Sequence, residues 1–114
     1  MLRGVPYMQT EEGRSGCNLE KVYSDCYADL IRMHSLNYFH TDVRKANIVK
    51  FGDKFSLVDF GLAISAGTTI DLTTRSKSVR QFLLPPDICN SDRYLWKGTN
   101  DVDMLVRSLF FKDG

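Results

Sequence analysis

The stretch His40–Ala63, HTDVRKANIVKFGDKFSLVDFGLA, decides how the rest of this chain is read. Two short apolar runs stand out in it, Ile48–Phe51 and Lys54–Asp59, with Gly52-Asp53 between them. Glycine tolerates a positive φ, so the pattern predicts two strands joined by a two-residue hairpin turn. Residues 38–46 are rich in polar and charged groups and predict a loop leading into that hairpin. Asp42 and Asn47 then fall on the loop before the hairpin, and Asp59 on the loop after it.

Those three side chains suit one task. Phosphoryl transfer asks little covalent work of a protein; it needs a positioned nucleophile and neutralised phosphate charge. Asp42 is the candidate to orient an attacking hydroxyl and accept its proton. Magnesium prefers hard oxygen ligands and keeps some of its waters. Asn47 and Asp59 are the candidate metal ligands. Gly61 is expected to let the backbone turn sharply after Asp59, with Phe60 anchoring that turn by packing. The cation of Arg44, two residues beyond Asp42, is the candidate to reach the transferred phosphate.

Outward from this stretch the chain divides plainly. Residues 1–17 hold Gly4, Pro6, Gly13 and Gly16 and predict an irregular lead-in. Leu19, Val22, Tyr23, Cys26, Leu30 and Met33 recur at helical spacing and predict a helix over 19–36, with Asn18 as its cap. Ser65–Ser78 is rich in Ser, Thr and Gly and predicts a long mobile loop, ended by Pro85-Pro86. Asp101–Phe111 is amphipathic and predicts a final helix. No internal repeat or linker splits the chain, so residues 1–114 read as one domain of α+β class, mainly helical with a small β-hairpin.

Composition bounds the function. The 114 residues suffice for one small domain, and 43% are hydrophobic, as in a folded protein. A formal net charge of +1 supplies no field for nucleic acid or an anionic membrane. Cys17, Cys26 and Cys89 are odd in number and widely spaced, which predicts free thiols rather than a disulfide framework or zinc site. No signal-peptide pattern or membrane-length apolar run occurs, so a cytosolic or nuclear location is expected.

The central motifs resemble those of protein kinases. His40-Thr41-Asp42 followed by Asn47 is similar to the family's H-R-D-x-x-x-x-N catalytic loop, and Asp59-Phe60-Gly61 to its D-F-G. Pro85-Pro86-Asp87 resembles the A-P-E end of an activation segment, here spanning 62–87. Asn100-Asp101-Val102-Asp103 looks like the start of the following helix, whose Asp braces the catalytic loop; Asp101 matches best. The resemblance covers roughly residues 19–111. It implies part of a protein-kinase C-terminal lobe, with ATP and Mg2+ as cofactors. Asp42 and Arg44 would be catalytic, Asn47 and Asp59 metal-binding, and Asn47, Asp59 and Gly61 nucleotide-binding. It implies structural roles for His40 and His34.

Departures from the family pattern shape the functional expectation. Thr41 replaces the Arg that pairs with a phosphorylated activation loop in many kinases. Arg44 stands where serine/threonine kinases carry Lys, and Asp87 replaces Glu. Arg80 falls where a Thr is expected. The 114 residues contain no G-x-G-x-x-G loop and no V-A-I-K strand, and begin about where the family's second lobe begins. Leu105, Val106, Leu109, Phe110 and Phe111 are expected to lack a covering layer. Each such side chain is worth roughly 1.5–3 kcal/mol when buried. That predicts self-association through the final helix, or a longer native context. Three readings follow. The first is magnesium- and ATP-dependent transfer to a protein Ser, Thr or Tyr hydroxyl, if a first lobe is supplied. The second is a catalytically inactive pseudokinase-type module that binds a protein partner. The third is a small-molecule kinase of the aminoglycoside or choline type.

Overall fold

The computed structural model describes residues 3–111. Its frame is one long helix that packs against both a three-stranded sheet and a second helix. Helix α1 (Glu11–Ser15) is a short turn, and helix α2 (Leu19–Ser35) is the long one. Val22, Cys26 and Leu30 recur every four residues on one face of α2 and are fully buried. Helix α3 (Gly98–Phe110) answers with Met104, Leu105 and Leu109, and the two helices pack together. Asn18 does not cap α2 as expected. It takes a left-handed conformation, φ 55°, and its side chain accepts no bond from the helix.

The sheet is larger than the expected hairpin. Strands β3 (Ile48–Phe51) and β4 (Lys54–Leu57) pair antiparallel, Ile48 opposite Leu57 and Phe51 opposite Lys54. Gly52 closes the turn with φ 58°, the conformation that favours glycine there. Strand β1 (Gly4–Pro6) adds to the other side of β3, giving the order β1-β3-β4. The supposed irregular lead-in therefore contains a strand, a 3-10 turn at Tyr7–Gln9 and α1. Thr10 caps α1 by accepting from the Gly13 amide at 2.9 Å. Met1 and Leu2, also assigned to that lead-in, lie outside the described residues.

One sheet edge is closed by carboxylates from α2. The outward amides of Phe55 and Leu57 donate to Asp25 Oδ2 at 3.1 Å and Asp29 Oδ2 at 3.0 Å. Asp25 and Asp29 are one helical turn apart, so a single face of α2 serves alternate residues of β4. An edge strand normally leaves such donors to water or to another strand. Here they hold the hairpin against the helix, and this fixes where Asn47 and Asp59 emerge.

The stretch Ser65–Ser78 is also more ordered than its composition predicts. Strand β2 (Tyr38–Phe39) pairs with β5 (Ile64–Ser65), and β6 (Thr69–Asp71) pairs with β7 (Arg93–Leu95). A 3-10 turn at Leu72–Thr74 and a π-helical turn at Val79–Leu83 follow β6. Leu72, Val79, Leu83 and Leu84 enter the core, as does Trp96. The segment is held by side chains that alternate poorly in sequence but meet distant partners in space.

The final helix is covered on most of its apolar face. Leu105 is fully buried and Leu109 is 5% exposed, against α2 and the π-helical turn. Only Phe110 and Phe111, 45% and 51% exposed, fit the expectation of an uncovered face. Phe110 still lies against Tyr23, and the Arg107 guanidinium lies over the Phe111 ring. Leu105 and Leu109 are therefore not available to a second copy of the chain. Among the described residues no helix is long and apolar enough to cross a membrane.

All three cysteines are free, as the spacing predicts. Cys26 is fully buried, and burial pushes its thiol pKa up to about 12. A thiol-specific reagent at about pH 8 is expected to modify the exposed Cys17 in the native protein and to spare Cys26 until urea unfolds it. Mass spectrometry of the labelled peptides reads the result. Native-state labelling of Cys26 at the rate of Cys17 would contradict the packing of α2.

Candidate active site

The loop between β2 and β3 carries Asp42 and is fastened from below by one residue of α3. Asp101, fully buried, accepts from the His40 amide at 2.8 Å through Oδ2 and from the Thr41 amide at 2.8 Å through Oδ1. Trp96 Nε1 donates to Oδ1 at 3.0 Å, and His34 Nε2 lies 3.0 Å from Oδ2. Four donors, one imidazole from α2, two amides from the loop and the indole just past β7, thus converge on a single carboxylate. Such pairing is what lets a carboxylate stay buried.

His40 carries the next layer. Its Nδ1 accepts from the Asp42 amide at 3.2 Å and its Nε2 faces the Val58 carbonyl at 3.0 Å. An amide must donate and a carbonyl must accept, so the proton sits on Nε2. The ring ties the Asp42 loop to the strand end before Asp59. Phe60 meets the same ring edge-on, with centroids 5.3 Å apart, although it is 52% exposed. His34 likewise serves structure, against Asp101 and, edge-on, against Phe39.

Asp42 itself is 6% exposed and its carboxylate is engaged on both sides. Asn47 Nδ2 donates to Asp42 Oδ2 at 2.9 Å and to the Asp42 carbonyl at 2.8 Å. Arg44 Nε lies 3.2 Å from Asp42 Oδ1 but off the line of its N–H, so it forms an ion pair without hydrogen-bond geometry. The Arg44 side chain remains 42% exposed, and its residue lines a cavity of about 250 Å³ with Lys45, Ser78 and Ser108. The Asn47 amide nitrogen is fully used, which leaves its oxygen as the group free to ligate.

Asn47 and Asp59 come from neighbouring strand ends. The Val58 amide donates to the Asn47 carbonyl at 2.9 Å, one step beyond the Ile48–Leu57 pair. Asp59 follows immediately and is exposed. Asp59 takes the positive φ there, 62°, and Gly61 and Leu62 form the turn that follows, closed by the Ala63 amide donating to the Phe60 carbonyl at 3.0 Å. Gly61 donates to Asp59 Oδ1 at 3.4 Å, and a Cβ at Gly61 would stand 3.3 Å from that oxygen. The glycine makes room for the carboxylate and also stands in the turn.

Magnesium is tested by this donor set. Among the described residues no three His, Cys, Asp or Glu side chains gather to hold a metal. One carboxylate and one amide oxygen are too few for a cation cage but match the partial site that magnesium occupies when phosphates and waters complete its shell. Asn47 and Asp59 therefore fit a nucleotide-borne magnesium better than a resident structural one.

One strained position marks the site. Outside glycine, positive φ occurs at Asn18, Asn37, Thr41 and Asp59 among the described residues. Asn adopts this region readily; a β-branched residue such as Thr41, at φ 68°, is an outlier. Thr41 is held there by the Asp101 bond, by donating from Oγ1 to the Leu62 carbonyl at 2.9 Å, and by accepting from Arg75 at 3.0 Å. Strain of this kind persists only where surroundings over-determine it, and it collects at functional sites. Comparison with protein-family models, with curated proteins and with solved structures returns no match.

Arg75 is the residue that sequence reasoning missed. It reaches from the segment after β6 into the Asp42 loop, and its other terminal nitrogen is buried without a partner. Burial lowers its pKa, partly offset by the charge of Asp42. Replacing Thr41 with valine keeps the shape but leaves the Arg75 donor and the Leu62 carbonyl unpaired. The loss is expected at about 1–3 kcal/mol in urea unfolding. A Thr41→Val protein as stable as wild type would show that these bonds do not hold the strained loop.

Proposed function

We propose that this chain supplies the hydroxyl-orienting and metal-holding half of a protein-kinase-like phosphotransferase. The observation that carries the reading is the strained loop in which Asn47 and Arg44 fix the Asp42 carboxylate while Asp101 fastens its backbone. Asp42 orients the attacking hydroxyl of a protein Ser, Thr or Tyr and takes its proton. Asn47 Oδ1 and the Asp59 carboxylate hold magnesium, which neutralises charge on the ATP phosphates. Arg44, whose exposed side chain stands beside Asp42, adds positive charge for the transferred group. The lobe that grips the phosphates from above is a further part of the proposal.

A second reading has its own support. Asp42 is nearly buried and already paired on both oxygens, so an incoming hydroxyl must displace one of those contacts. That favours a kinase-like module that binds a protein partner and performs no transfer. A small-molecule kinase of the aminoglycoside or choline type draws support only from the shared loop spacing. Calorimetric titration of the whole chain with ATP, with magnesium present or chelated, separates the first two readings. Magnesium-dependent ATP binding is expected. Binding indifferent to magnesium, or no nucleotide effect beside tight association with a protein, would favour the module.

A further inference from the structure

A cavity of about 610 Å³ is lined by four cationic side chains: Arg75, Lys77, Arg80 and Arg107. The remaining lining is neutral and includes Leu84 and Asn90; no carboxylate contributes. The concentration is notable in a chain whose formal net charge is only +1. Three different elements supply these charges: the segment after β6, the π-helical turn and α3.

These cations are poorly neutralised within the protein. Among the described residues Arg107 alone has a carboxylate partner, Asp103, at 2.8 Å. Arg75, Lys77 and Arg80 have no carboxylate within ion-pair distance. Arg80 Nε donates to the Cys89 carbonyl at 3.0 Å, which fixes the plane of the guanidinium and leaves its terminal nitrogens available. Arg75 has a buried terminal nitrogen with no partner at all. Its other terminal nitrogen donates to Thr41, so the charge is held without a carboxylate, and an anion in the cavity would offset it through space.

We propose that this cavity binds a phosphate group, free or carried as a monoester on a polypeptide. A phosphate monoester brings nearly two negative charges and three acceptor oxygens, which matches several converging cations and the forked donors of arginine. A single carboxylate would leave most of this charge unmatched. Nucleic acid fits less well: the lining holds no aromatic side chain for base stacking, and the basic groups form one pocket rather than a track. The volume exceeds what one phosphate fills, and Leu84 beside the cations offers apolar surface to the rest of a peptide. The site stands whether or not the Asp42 loop transfers phosphate.

Lys77 provides the test, because it is exposed and makes no ion pair among the described residues, so its replacement spares the fold. Isothermal titration of the whole chain would use three probes. They are inorganic phosphate, a phosphoserine peptide of alanine and glycine, and the same peptide unphosphorylated. Saturable binding of a phosphate-bearing probe is expected, weakening as salt is raised. Lys77→Glu is expected to weaken it about tenfold or more while the thermal melt stays unchanged. Tighter binding of the phosphopeptide than of inorganic phosphate assigns the polypeptide-borne monoester; equal binding assigns the free anion. The proposal is overturned by no saturable binding of either phosphate probe, by equal binding of the unphosphorylated peptide, or by a Lys77→Glu protein that binds as wild type does.

Discussion

Asp101→Ala is expected to lower the unfolding free energy by about 3–5 kcal/mol, because a fully buried carboxylate and its partners are broken apart at once. The substitution strands the His40 and Thr41 amides and the Trp96 indole N–H inside the protein. A small domain has only about 5–15 kcal/mol in total, so the variant should sit near the edge of folding. Urea unfolding followed by tryptophan emission suits the question, since Trp96 is the single tryptophan and donates to the deleted group. Asp103→Ala is the control on the same helix: it loses only a partly exposed pair with Arg107, worth about 0–1 kcal/mol. Asp101→Asn should fall between the two, because one amide oxygen remains to accept. If Asp101→Ala unfolds at the same urea concentration as Asp103→Ala, Asp101 is not what fastens the loop.

That contrast also shows which parts of the fold can be read from residues in order. The hairpin and the two long helices follow local rules: glycine at a turn, apolar residues every three or four positions. Their bounds were predicted within a few residues, Leu19–Ser35 against 19–36 and Gly98–Phe110 against 101–111. The segment between Ile64 and Leu84 followed no local rule. Its Ser, Thr and Gly content reads as a loop, while β6 is held by β7, more than twenty residues later. Burial of Leu105 and Leu109 was equally hidden, since their partners on α2 lie far back in the chain. Residue types and spacing singled out Asp42, Asn47 and Asp59 as candidates, and Asn47 lies in contact with Asp42. Geometry was less legible: Gly61 was the natural candidate for the positive φ, yet Asp59 adopts it, and no pattern pointed to Arg75 as the clasp on Thr41.

The conformation of Asp59 determines how its role should be tested. Asp59→Ala would remove the carboxylate and also place alanine at φ 62°, where it is strained, so a loss of binding would be ambiguous. Asn tolerates that region and keeps the size and shape of the side chain. Asp59→Asn therefore isolates the charge and the hard-oxygen ligand. The residue is exposed and, among the described residues, its side chain's only bond is a long one from Gly61, so stability should change by less than about 0.5 kcal/mol. Groups that merely orient a metal ligand already cost about 10–100-fold in metal affinity when changed, so loss of the ligand itself should cost at least as much. The expected result is a melt like that of wild type, with magnesium-dependent ATP affinity reduced about a hundredfold or abolished. ATP affinity measured without magnesium should not fall, because Asp59 is a carboxylate and repels the phosphates unless a cation stands between them. Removing its charge should leave that value unchanged or raise it. A variant that binds ATP and magnesium as wild type does would remove Asp59 from the proposed metal site, while a matching loss without magnesium would mean that the strand end had moved.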